Sequence, residues 1–156
     1  MLAILVAAAT QWICPAWWAP LPPGWIEGNT GANPASRTGN SWAHTPGFTN
    51  LNDIPPNGVW VSALLSPRRP TSPARSRHRP LRLPLNLRYP HQIAKQEGSS
   101  LPEYRFAGRY RGIYFVDVRV DFGRRKLTRS MRQRGQTLLR RLRPPPRLVS
   151  TPASCH

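Results

Sequence analysis

The clearest pattern of apolar and polar positions lies between Tyr104 and Gly123. From Val116 the two classes alternate without a break: Val116, Val118, Val120 and Phe122 on one side, Asp117, Arg119 and Asp121 on the other. A period of two is that of a strand with one buried face. Tyr104-Arg105-Phe106 is placed to pair with it across the glycines at 108 and 112, so a strand or hairpin is expected at about 104–122. Past Gly123 the period changes. Leu127, Met131, Leu138 and Leu142 fall within about 60° of one another on a helical wheel, with Leu139 further round, and the rest of that surface is Arg, Gln, Ser and Thr. An amphipathic basic helix is expected at about 124–142. Gly135 weakens its middle by about 1 kcal/mol relative to Ala, and Pro144-Pro145-Pro146 ends it. The apolar stripe is wide enough to dock on the preceding strand and too narrow for a deep core. An island of about forty residues is marginal by itself.

Elsewhere the periodicity fades. Gly58–Leu65 reads as one short strand, closed by Ser66-Pro67. Around it, residues 22–65 form a Gly/Asn/Pro-rich stretch with Trp and turn pairs such as Pro23-Gly24, Asn33-Pro34, Pro46-Gly47 and Asn57-Gly58, expected as loop. Residues 66–103 read as a Pro/Arg-rich linker: proline at 67, 70, 73, 80, 84 and 90 forbids a continuous helix and favours polyproline II. Residues 144–156 read as a disordered tail. At the other end, 1–21 is an apolar segment whose run from Leu2 to Ala9 is too short to span a bilayer, which needs about 20 apolar residues. It has the length of a signal-peptide core, and Ala7-Ala8-Ala9 suits a cleavage site, although no basic residue precedes the run. The alternative for this segment is an interfacial membrane contact through Trp12, Trp17 and Trp18, with burial of those rings as the plainer option. Leu, Ile, Val and Phe make up about a fifth of the chain, and Pro, Gly and Ser about a quarter, the range of low-complexity sequence. The expected fold class is therefore a mostly disordered or irregular chain with one small α+β island at 104–143.

Charge sharpens this division. Of the 156 residues, 1–60 hold one base (Arg37) and two acids (Glu27, Asp53), while 61–156 hold the other twenty-two bases and four acids, so a front of −1 and a rear of +18 make up the net +17. All six Trp lie in the front. Only Lys95 and Lys126 among the bases are Lys, and Arg matches phosphate with a planar, bidentate fork. Residues 123–147 alone carry nine Arg and one Lys. The function these features point to is a small basic accessory or regulatory protein binding nucleic acid, RNA in particular, electrostatically and without sequence preference. Arg124, Arg125, Arg129, Arg132, Arg140, Arg141 and Arg143 are the expected phosphate contacts, and Tyr104 and Tyr110, interleaved with Arg105, Arg109 and Arg111, are placed to stack on unpaired bases. No RRM, KH, zinc-finger or helix-turn-helix signature accompanies them. The alternative is a membrane-associated protein anchored by residues 1–18, with the basic rear on anionic headgroups. A third reading is an open reading frame product without selected function, because GC-rich coding or an overlapping frame gives the same Arg, Pro and Ser excess. Pro70-Thr71-Ser72-Pro73-Ala74-Arg75 also has the PxxPxR spacing of an SH3-domain ligand, a spacing common by chance in such chains.

Catalysis finds little footing. His44, His78, His91 and His156 lack the Ser, Cys or carboxylate spacing of a known site, and six scattered acids make no paired-carboxylate constellation. No enzyme, metal or cofactor is expected. Cys14 and Cys155, near opposite ends, read as two free thiols, since no metal spacing or dense disulfide framework is present. Arg124-Arg125-Lys126 suits nuclear import; location is nuclear or cytoplasmic if the apolar start is not a signal, and membrane-bound or secreted if it is.

Overall fold

The computed structural model describes residues 11–32, 37–67, 79–96 and 98–155. The strand alternation at 116–122 is the middle of a sheet rather than an isolated island. Six antiparallel strands lie in the order β2-β3-β4-β7-β6-β5, where β2 is Ile26–Ala32, β3 Gly39–His44, β4 Val59–Ser66, β5 Gln92–Lys95, β6 Pro102–Tyr110 and β7 Tyr114–Phe122. A separate two-stranded pair joins β1 (Trp17–Trp18) to β8 (Leu142–Arg143). One helix, α1 (Arg129–Arg141), and short 3-10 turns at Leu51–Asp53 and Pro152–Cys155 complete the described elements.

Register shows why the sheet holds. Val61 faces Val120, Ala63 faces Val118 and Leu65 faces Val116 across β4–β7, while Phe106 faces Val118 and Tyr104 faces Val120 across β6–β7. These side chains share one face and are buried together. Helix α1 closes that face. It starts at Arg129 rather than at about 124, because the Thr128 hydroxyl caps it by accepting the Met131 N–H at 3.2 Å. Its buried residues are Met131, Gly135, Leu138 and Leu139. Gly135 is a fitted position: a Cβ there would lie 3.1 Å from Phe122 Cζ and 3.4 Å from Leu87 Cδ2, so the bare backbone lets the helix approach the sheet.

The expectation of a mostly disordered chain is overturned, segment by segment. The loop region 22–65 contains β2, β3 and β4. The described part of the 66–103 linker buries Leu81, Leu85 and Leu87 in the core and supplies β5. Gln136 on α1 pins this stretch by donating to the Leu85 carbonyl and accepting from the Leu87 N–H, both at 2.8 Å. The 144–156 tail is docked: the buried Tyr114 hydroxyl donates to the Pro145 carbonyl, and Val149 forms an antiparallel bridge with Trp12. Burial, with Tyr110 nearby, holds the Tyr114 phenol far above its ordinary pKa, so it stays a donor. The physical reason is that Leu, Ile, Val and Phe understate this core. Trp18, Tyr104, Tyr114, Ala16, Ala43 and Ala63 also fill it, and a large aromatic ring contributes more area than any aliphatic side chain.

The N-terminal segment is described only from residue 11 on. Ile13, Cys14, Ala16 and Trp18 are buried in the core, whereas Trp17 between them is exposed. Among the described residues no helix is long and apolar enough to cross a membrane. Residues 1–10 with the Leu2–Ala9 run, the PxxPxR stretch from Pro70 to Arg75, His78 and His156 lie outside the described residues. The two cysteines are not free thiols: Cys14 and Cys155, 141 residues apart, form a disulfide with Cα atoms 5.4 Å apart. Reducing it, or replacing Cys14 by Ser, is expected to lower the unfolding free energy by about 2–5 kcal/mol. Denaturant melts with and without reductant measure this, and coincident midpoints would show that the bond contributes nothing.

Candidate functional site

Alternation along β7 sends its polar residues to the face away from α1. Asp117, Arg119 and Asp121 there meet Glu103 and Arg105 of β6, with Glu103 directly opposite Asp121 and Arg105 opposite Arg119. Three of the chain's six acids therefore converge on one patch. The Asp117 Oδ2 atom accepts from Arg105 at 2.6 Å and from Arg119 at 3.2 Å, and Arg105 Nε lies 3.7 Å from Glu103. Among the described residues Asp117 Oδ1 has no hydrogen-bond partner, and Asp121 lies against Gln96 and Glu103. Burial of Asp121, only 1% exposed, and the facing Glu103 charge push its carboxyl up to about 7. Burial opposes the Arg119 cation, but Asp117, with Glu103 and Asp121 behind it, outweighs burial and raises its pKa.

Aromatic rings stand beside this charge cluster. The Trp42 and Trp60 rings are stacked at 6.2 Å, and His44 stacks on Trp60 at 4.9 Å with Phe48 tilted against both. A cavity of ≈ 250 Å³ lies among Asn40, Trp42, Trp60, Ser62, Asp117 and Arg119. Sequence reasoning missed this site. The usable signal was the placement of two carboxylates and a guanidinium on the polar side of so regular a strand. Among the described residues no group of three or more His, Cys, Asp or Glu side chains is arranged to hold a metal ion.

The expected phosphate and base contacts are divided between the two faces. Arg105 is engaged with Asp117 and Glu103 on the polar sheet face, and Tyr104 is buried, edge-on to Phe122. Neither is presented to a partner. Arg109 and Arg111 are exposed and lie over the Phe115 and Tyr110 rings at 5.4 and 5.3 Å. Arg125, Arg129, Arg132, Arg140 and Arg143 are exposed, whereas Arg124 and Arg141 are half-buried and Arg141 donates to the Pro20 carbonyl at 3.0 Å. Tyr110, Arg140 and Arg143 come together with Trp17, Leu83 and Pro84 around an apolar groove of ≈ 620 Å³. Trp17, 45% exposed, was legible only as one of a Trp cluster, because its pairing with Arg143 across β1–β8 joins residues more than a hundred positions apart. A second hollow of ≈ 350 Å³ brings Arg88 of the Pro/Arg-rich stretch beside Arg132 and Gln133 of α1.

The buried carboxyl generates a pH expectation. Its folded pKa is raised, so its contribution to stability is fully present below the unfolded value of about 3.9 and is lost as pH rises through about 7. Asp121→Asn is expected to melt close to the parent at about pH 3.5, somewhat above it at pH 5 and clearly above it at pH 8. A thermal melt series that gives the two proteins the same pH dependence would remove Asp121 as the cause.

No protein-family model matches this chain, and no curated protein or solved structure matches it either.

Proposed function

We propose that the protein binds single-stranded nucleic acid across its helix-side surface, bases in the Trp17–Tyr110 groove and phosphates along the exposed arginines of α1. The observation that carries this reading is the groove itself: aromatic and apolar inside, with Arg140 and Arg143 in its wall. Base stacking on aromatic rings is tolerant of sequence, and arginine beside the ring supplies the phosphate contact. Arg132 and Arg140 are eight residues apart on α1, about 12 Å along its axis, so they extend the charge from the groove to the Arg88 hollow. From Phe122 to His156 the sequence has no acidic residue, which leaves this cationic surface uncompensated locally. Nothing in stacking or phosphate contact distinguishes RNA from DNA, because neither reads the 2′-hydroxyl. Alternate residues of β4, β6 and β7 join into one continuous buried apolar face, which supports a selected protein over an open reading frame product without function.

An anionic membrane surface is the second reading, favoured by the disulfide. Such bonds persist in oxidising compartments, where lipid headgroups are a more common polyanion than RNA. In that case the exposed Trp17 enters the interface and the arginines meet the headgroups.

Titration of mixed-sequence RNA and DNA oligonucleotides and of anionic vesicles at several salt concentrations tests both. The expected result is salt-steep binding of single strands that exceeds vesicle binding. Replacing Arg129, Arg132, Arg140 and Arg143 by Gln together should flatten the slope of log K against log salt by about 3, at roughly 0.7 per phosphate contact. Trp17→Ala should cost about 1–3 kcal/mol of affinity, the contribution of one stacked base. An unchanged slope in the fourfold variant would sink the nucleic-acid reading, and preferential vesicle binding that depends on Trp17 would replace it with the second.

Arg111 gives a separate check. It holds φ at 49° beside Gly112 at 71°, the consecutive left-handed pair of a tight hairpin turn. That conformation costs a side-chain-bearing residue about 1–2 kcal/mol. Arg111→Gly is therefore expected to weaken polyanion binding while leaving the melting temperature equal or higher. A lower melting temperature would mean that Arg111 serves the fold instead.

A further inference from the structure

The cavity on the opposite face of the sheet is not used by the reading above, and its chemistry is different. Its aromatic wall is held in place from behind. A Cβ at Gly28 would sit 2.7 Å from the Trp42 ring, so the indole rests on bare β2 backbone and cannot swing across it. Trp60 lies parallel to Trp42, 7° off, and its other neighbour is the His44 ring. The polar wall is equally fixed. Arg119 is oriented by Asp117, whose second carboxylate acceptor is shared with Arg105. Asn40 and Ser62 line the same space, and Leu51 of the first 3-10 turn borders it.

The charges select the ligand class. An anion entering would meet the buried Asp117, with Glu103 and Asp121 beyond it. A cation would meet the guanidinium of Arg119, whose side chain is 38% exposed. What is left is a neutral molecule with an apolar flat face for the indole and hydroxyls for the polar wall. Asp117 Oδ1 is a buried acceptor without a partner, and Arg119 has more N–H donors than its single bond to Asp117 uses. Donor and acceptor side by side on a rigid pair suit vicinal hydroxyls, each of which both donates and accepts. A volume of ≈ 250 Å³ falls just short of the range of about 300–1,000 Å³ of drug-sized sites and suits a single ring. We infer that this cavity is a binding site for one neutral sugar ring, seated on Trp42 and hydrogen-bonded by Arg119 and Asp117.

The site and the polyanion surface lie on opposite faces of the sheet, so each can be lost without the other. The test uses the full, disulfide-bonded chain and the neutral methyl glycosides of glucose, galactose, mannose and N-acetylglucosamine. Indole N–H signals of the tryptophans are followed by NMR during each titration, with glucosamine and glucuronate as charged counterparts. Expected is saturable binding of at least one neutral glycoside that shifts the Trp42 signal, with both charged counterparts weaker. Trp42→Ala and Arg119→Gln should each weaken it at least about tenfold while oligonucleotide affinity stays unchanged. Arg119→Gln keeps the test open if Trp42→Ala does not fold, since Arg105 still pairs Asp117. Failure of all four neutral glycosides to bind more tightly than about 10 mM would overturn the assignment. So would tighter binding of a charged counterpart, or unchanged binding in Arg119→Gln.

Discussion

The structure depends on the two-faced alternation of β7, apolar toward α1 and charged on the other side. This strand sits in the sheet with β4 on one side and β6 on the other, and Val116, Val118, Val120 and Phe122 are fully buried along its inner face. A strand has a period of two, so a register slip of one residue would bring Asp117, Arg119 and Asp121 into the core. No partner in an apolar core could offset three buried charges. That penalty sets the pairing of both neighbours, and through them the two faces of the molecule. The helix docks on the apolar side because Gly135 lets it come down on Phe122. The polar side becomes a patch of ion pairs and rings.

That polar patch is unusual in a chain so strongly basic. Burying Glu103, Asp117 and Asp121 costs desolvation energy that only well-placed partners offset. Arg105 and Arg119 offset it for Asp117, but Asp121 has no such partner and responds by shifting its proton affinity upward. A carboxyl held partly neutral near physiological pH brings the patch close to electroneutrality. The helix-side surface is the reverse: exposed arginines from a stretch of sequence without acids, and the exposed Trp17 beside an apolar groove. One sheet thus separates two chemistries, each of which would weaken the other if they were mixed.

The ends of the chain matter as much as its middle. Trp12 bridges to Val149, Trp17 and Trp18 pair with Arg143 and Leu142, and Cys14 is bonded to Cys155. These contacts place the first described residues against the last, and they turn the prolines after α1 into the wall of the groove. Closing so long a loop is entropically expensive in the unfolded chain, and a covalent link removes much of that cost.

What the sequence determined by itself was local. The period-two run at 116–122, the strand before Ser66, and the apolar stripe ended by three prolines each follow from short-range pattern, and each corresponds to an element: β7, β4 and α1. The arginine excess and its position were also legible, because charge is additive along a chain. Tertiary structure decided the rest. In the proline-rich stretch Leu81, Leu83, Leu85 and Leu87 do alternate with Arg82, Pro84 and Asn86, but the prolines at 80, 84 and 90 obscure that pattern, and the glycine-rich 26–32 and 39–44 show no comparable alternation. Their order comes from partners far away in sequence, such as Gln136 for 85–87 and Trp60 for Trp42. Both candidate sites share this origin. The groove needs β1 beside β8, and the cavity needs the Trp42 and Trp60 strands, β3 and β4, beside β7. Neither exists until long-range pairing repays the entropy of bringing the segments together.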